Sequence, residues 1–246
     1  MRRKAARYNV NMSDQPSNSD PADAIRAIDH GESVRELQQA LLDARKRLNR
    51  MPEDSNPVKR AHALLDVATP LLGLGQGAEA WQYAREAFTV FVDYEHWQEA
   101  VETADLLYQC EQPDSLVALG HGIWLAVTYP VKAQSTVNLL NSVIDETPDD
   151  SDGAAVAAMA AHYIADLRTE GEQKDSLKFL TTQMIARVAR RHRGIEDQAT
   201  LDTWIEMYRL NDVPELIKRL SLIVDVLVGG KWWFDRDALR ARLPVH

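Results

Sequence analysis

Apolar residues recur every three to four positions in segment after segment of this chain, and short Pro-, Gly- or Asp-rich breaks separate the segments. That period draws one apolar stripe along each of a series of helices. The first 23 residues lack it: SDQPSNSDPAD is too polar to bury a core, so residues 1–23 are predicted to be a disordered tail, with Met12 an alternative start. A short helix at Ala24–Asp29 is expected to stop at Gly31. Ser33-Val34-Arg35-Glu36 then reads as a capping box that opens a helix toward Met51. On that helix Val34, Leu37, Leu41, Ala44, Leu48 and Met51 form a narrow 3-4 seam. Such a seam suits either a second copy of the chain, meeting through Val34, Leu37, Leu41 and Leu48, or the chain's own next helix.

MPEDSNP is a turn cluster, after which helices are predicted at Val58–Leu72 and Ala78–Val92, with Pro70 a candidate kink. Further helices are expected at Glu95–Cys110, Pro113–Tyr129, Val131–Ile144, Gly153–Arg168 and Gln173–His192, then one around Leu201–Tyr208 and one from Val213 to Gly229. Pro113 suits the first turn of its helix. Gly120-His121-Gly122 lies in the middle of one, where two glycines cost about 1 kcal/mol each, so it predicts close helix approach or a ligand at the backbone. The alanine-rich run from Ala154 to Ala165 permits a similar approach. WQYAREAF from Trp81 is echoed by WQEAVETA from Trp97, which suggests successive helices of one design.

Leu64, Val67, Ala68, Leu71, Gly75, Ala80, Ala84 and Ala87 set large and small residues along two helices joined by a Gly-containing turn. This stretch resembles one tetratricopeptide repeat, although Val92 stands where that family has a proline and Ala84 where it has an aromatic. The resemblance implies an all-α fold of stacked antiparallel helix hairpins, with about nine or ten helices here. It also implies a non-enzymatic adaptor or assembly factor that binds a partner polypeptide on its surface. Residues 24–230 are expected to form one helical domain, and residues 231–246 a capping or partner-docking segment.

Composition narrows the chemistry. A net charge of -9 disfavours a protein built to grip nucleic acid, and the lone Cys110 excludes an internal disulfide and a Cys-rich zinc site, which fits a cytoplasmic setting. No apolar run is long enough for a membrane span. The partner-binding candidates are Trp232, Trp233 and Phe234, three consecutive aromatics that either clamp the C-terminus onto the stack or anchor a partner. Arg187, Arg190 and Arg191 join them, at a helix end closed by Gly194; cations there complement the helix dipole, and the alternative is an anionic ligand or nucleic acid. The rival reading is a nucleotide site, because Gly73-x-Gly75-x-x-Ala78 fits a relaxed dinucleotide fingerprint with Asp93 after the strand-like TVFV. The acidic loop ETPDDSDG reads as a helix cap, and His162 with Asp166 as an i,i+4 pair. No catalytic residue, metal ligand or cofactor is expected, since no HExxH, GxSxG, P-loop or EF-hand spacing occurs.

Overall fold

The computed structural model describes residues 21–243, with side chains from residue 33 onward. The rest of the expected tail, Met12 included, and the last three residues lie outside the described residues. All regular structure among the described residues is helical: α1 Pro21–Asn49, α2 Pro57–Gly73, α3 Gly77–Asp93, α4 Trp97–Gln109, α5 Ser115–Thr128, α6 Ala133–Glu146, α7 Asp152–Arg168, α8 Gly171–Arg193, α9 Gln198–Met207, α10 Val213–Val228 and α11 Arg236–Ala241.

The helix starts follow from local hydrogen bonding. Asn56 caps α2 by accepting the Lys59 N–H at 3.1 Å with Pro57 in the first turn, and Asp212 caps α10 by accepting the Glu215 N–H at 3.3 Å. Ser33 is different. It lies inside α1, which runs unbroken through Gly31, so the expected capping box has no free helix end to cap and the short separate helix does not exist. Pro70 likewise sits inside α2 without ending it. Pro113 does not open α5. The Ser115 hydroxyl there accepts the Gln112 N–H at 2.8 Å and donates to the Leu107 carbonyl at 2.9 Å, which holds residues 111–114 in a turn and delays the helix to Ser115.

One turn design joins the early helices. Gln76 N–H reaches back to the Leu71 carbonyl at 2.9 Å and His96 N–H to the Phe91 carbonyl at 2.8 Å, each across a residue with positive φ, Gly75 at 73° and Glu95 at 60°. This six-to-one closure turns the chain sharply and sets the next helix antiparallel. The Trp81 echo is not such a repeat: Trp81 lies one turn inside α3, whereas Trp97 is the first residue of α4.

Packing follows chain order from α1 to α8, each helix against the next. Two layers result. α2, α4, α6 and α8 also touch in succession, while α3, α5 and α7 alternate with them and stand further apart from one another. α10 returns to fill the gap between α5 and α7. The core runs continuously through the layers and includes Leu64, Val67, Ala68, Leu71, Ala80, Ala84 and Ala87, all at most 2% exposed. Part of the α1 seam packs inside the chain: Leu41 and Leu48 are buried in that core and Leu37 packs over Gly73 at the end of α2, while Val34 is half-buried.

Candidate functional site

α5 is buried on nearly every side, and its three central residues face different neighbours. A Cβ on Gly120 would stand 2.7 Å from Val228 Cγ2 of α10. One on Gly122 would stand 2.9 Å from Ala104 Cβ of α4 and 3.1 Å from Leu139 of α6. The two glycines are therefore close-packing positions. Between them His121, fully buried, points into the gap between α5 and α3.

That gap holds the chain's own C-terminal segment. Trp232, Trp233 and Phe234 follow Gly229 and Gly230, whose φ angles of 57° and 78° carry the chain out of α10 and back over the stack. The Trp233 ring stacks on His121 with centroids 4.4 Å apart and planes at 23°, and meets Trp81 and Phe88 of α3 edge-on at 5.9 and 5.6 Å. The Arg85 guanidinium lies over the Trp233 ring, 4.0 Å from its centroid. Trp232 meets Trp124 and His121 at 6.0 and 5.1 Å, and Arg236 lies 4.7 Å over its ring. Phe234 packs on Trp124 at 5.5 Å. All three side chains are half-buried rather than outward-facing.

One backbone hydrogen bond fixes the register. The Trp233 N–H donates to His121 Nε2 at 3.1 Å, so the imidazole is neutral with its proton on Nδ1. Nδ1 turns toward the Val117 carbonyl one turn back without closing a hydrogen bond. Burial pushes the His121 pKa down to about 3, the nearby Arg85 charge acting in the same direction. Burial lowers the Arg85 pKa as well. Lys231 to Asp114 at 2.7 Å and Arg242 to Glu95 at 3.2 Å tie down the two ends of the segment. Asp235 caps α11, a short helix within the expected capping or partner-docking segment 231–246. A cleft of about 220 Å³ remains between α3 and α11, lined by Phe88, Val92, Phe234 and Leu239 with Asp93 and Arg242 at its rim.

The arginine candidates lie on α8, which packs against α6 and α7. Arg191 donates to the Ile144 carbonyl at 2.9 Å and to Thr147 Oγ1 at 3.1 Å, closing the C-terminal end of α6. Arg187 reaches Asn141 Oδ1 at 2.8 Å and Asp145 at 3.3 Å, and Arg190 is exposed. Arg193 donates to the Tyr208 hydroxyl at 2.8 Å, and Gly194 adopts the left-handed cap with φ 65°. The cluster thus mostly serves α6 and α9 of its own chain.

Two other candidate sites come apart. Gly73 ends α2, and TVFV lies within α3, so no strand frames the dinucleotide-like fingerprint. His162 hydrogen-bonds Thr181 at 2.9 Å while Asp166 pairs with Lys174 and Lys178, so these two bond to other partners rather than to each other. In the acidic loop Ser151 caps α7 and Asp152 meets the buried His192 at 3.1 Å. Among the described residues no group of three or more His, Cys, Asp or Glu is placed to hold a metal ion.

Charge distribution carries a signal that the net value hides. Residues 86–167 hold fourteen of the 37 Asp and Glu but one of the 28 Lys and Arg, Lys132. Several of these carboxylates take cations from outside that stretch: Glu86 from Arg60, Asp114 from Lys231, Asp145 from Arg187 and Asp166 from Lys174 and Lys178. Amides hold others on α4, where Gln98 donates to Glu102 at 2.7 Å and Gln109 to Asp105 at 2.9 Å; on α6, Asn141 donates to Asp145 at 3.0 Å beside its Arg187 pair. Partial burial raises the Asp105 pKa. The exposed side of the α4–α6 layer is therefore a carboxylate and carboxamide surface, in contrast to the aromatic gap between α3 and α5.

No known family, curated protein or solved structure matches the chain. None of its helices among the described residues is long and apolar enough to cross a membrane.

Proposed function

We propose that this protein is a non-enzymatic interaction scaffold, an adaptor or assembly factor, that holds a partner polypeptide on the surface of its stacked helix pairs. One observation carries the reading: the gap between α3 and α5 already holds a non-helical polypeptide segment, fixed by a backbone hydrogen bond to a buried histidine and by aromatic and guanidinium contacts to its side chains. Such contacts are those a peptide-binding surface uses, with one group reading the backbone and pockets reading side chains. The alternating two-layer order and the buried Leu64-to-Ala87 pattern support a kinship with tetratricopeptide-like repeats. A cytoplasmic setting belongs to the same reading, supported by a lone, buried and unpaired cysteine.

The test is quantitative copurification of the tagged full chain from its native host, beside two folded variants. Arg85→Ala with Trp81→Ala alters the aromatic gap; Glu102→Lys with Asp105→Lys reverses charge on the α4–α6 surface. The scaffold reading predicts a stoichiometric polypeptide partner whose recovery falls at least about tenfold in one variant. Equal recovery of every bound polypeptide with all three chains contradicts it.

A further inference from the structure

The walls of the aromatic gap belong to α3 and α5, whereas its contents belong to a separate segment hung on a double glycine. Trp81, Arg85 and Phe88 come from one wall and His121 and Trp124 from the other. Gly229 and Gly230 both adopt positive φ, and a Cβ built on either meets nothing within 4 Å, so the joint has room to turn. The contents are held lightly at the edges. The Lys231–Asp114 and Arg242–Glu95 pairs are exposed, with side-chain exposures of 63% and 39% and of 64% and 54%, and pairs of that kind contribute little. The aromatics themselves are half-buried, and the cleft beside Phe234 leaves space that the segment does not use.

Resting on the scaffold reading, we infer that the α3–α5 gap is a recognition site for an extended, Trp-centred segment of a partner polypeptide, and that residues Lys231–Phe234 occupy it in cis until such a segment displaces them. The partner's Trp takes the slot between the His121 ring and the Arg85 guanidinium, and its backbone N–H replaces that of Trp233 on His121 Nε2. The Nε2 atom has no other hydrogen-bond partner, so a segment unable to supply that N–H leaves a buried acceptor empty and is rejected. The tether makes the displacement competitive. A segment on a short flexible joint presents itself at an effective concentration on the order of millimolar, so a resident segment whose intrinsic affinity for the gap is about 1–10 µM weakens any competing partner about 10²- to 10³-fold.

The experiment uses a fluorescent synthetic peptide with the sequence of residues 230–243, titrated into three full-length chains by anisotropy. The first is the unaltered chain. The second carries Trp232→Ala, Trp233→Ala and Phe234→Ala, which disarms the resident segment. The third keeps every contact but has ten Gly/Ser residues inserted between Gly229 and Gly230, which lowers the effective concentration of the segment without altering the gap. Expected are binding to the disarmed chain at least about tenfold tighter than to the unaltered one, a smaller gain of several-fold for the inserted chain, and loss of binding when the peptide carries Ala in place of its second Trp. Equal binding to all three chains, or no binding to a folded disarmed chain, overturns the inference. Should the disarmed chain fail to fold by circular dichroism, the inserted chain decides alone: no gain over the unaltered chain overturns it. The peptide assay involves no native partner, so its failure leaves the copurification result, and the broader scaffold reading, standing by itself.

Discussion

Replacing His121 by glutamine changes how stability responds to acid. The imidazole is fully buried, accepts the Trp233 N–H through Nε2 and has its pKa pushed down to about 3 from 6.5. A depressed histidine favours the folded state only where it is neutral. Its contribution is complete above pH 7; below about 6.5 the unfolded chain takes up a proton that the folded chain refuses, and stability falls until the pH reaches about 3. The slope in that window is about 1.4 kcal/mol per pH unit, so His121 alone removes about 2.5 kcal/mol between pH 7.5 and pH 4.5. Glutamine keeps an acceptor for the Trp233 N–H but cannot titrate, and loses the ring stacking, which costs about 1 kcal/mol at pH 7.5. Urea unfolding followed by tryptophan emission reads the local event, because Trp81, Trp124, Trp232 and Trp233 surround the site. Carboxylates with lowered pKa, such as Asp197 and Asp212, weaken both chains alike in acid, as does His162, so the difference between the chains isolates His121. The glutamine chain is expected to be the less stable one at pH 7.5 and the more stable one at pH 4.5. Parallel pH dependences would refute the reasoning, because they would mean that His121 is not held neutral in the folded state.

Three further outcomes follow from the packing. A Cβ on Gly77 would sit 2.5 Å from the Cys110 carbonyl oxygen, against 2.7 Å from a valine methyl for Gly120, so Gly77→Ala is expected to cost about 3 kcal/mol and Gly120→Ala about 1–2 in thermal melts. Val228→Ala should recover part of the second loss and none of the first. The Cys110 thiol is buried, and burial pushes its pKa up to about 11; thiol titration with an aromatic disulfide at pH 7.5 should therefore run at least about a hundredfold slower in the native chain than in urea. Arg191→Ala should cost about 1.5–2 kcal/mol by leaving the end of α6 without its donor, while Arg187→Ala, whose pair with Asp145 is about half exposed, should cost under about 0.5.

Local signals were legible where the chemistry is local. Asn56-Pro57, Asp212-x-x-Glu215, Gly194 and Gly229 mark helix ends in the sequence because each acts on backbone groups within four residues. The same logic misleads at Ser33: a capping box is meaningful only at a free helix end, and the preceding residues continue the helix. The turn that delays α5 past Pro113 depends on the Ser115 side chain bonding back to α4, a contact eight residues away that no propensity records. Gly120 and Gly122 announced close approach but not its partners: α10 reaches Gly120 from more than a hundred residues downstream, and Gly122 meets Ala104 and Leu139 on two different helices. The three aromatics stood out as a group, yet His121, the residue that orients them, carries no mark in the sequence beyond the glycines beside it. Counting charge by segment rather than by chain would have revealed the acidic stretch from 86 to 167.

The central claim is that the gap between α3 and α5 grips a polypeptide backbone through His121. Hydrogen exchange of the Trp233 amide, followed by nuclear magnetic resonance at pH 7, tests it most directly. The account predicts exchange slowed by at least about a hundredfold relative to an unstructured chain, with the protection lost in a folded His121→Ala variant. Exchange at the unprotected rate in the unaltered chain, or protection that survives removal of His121, would contradict it.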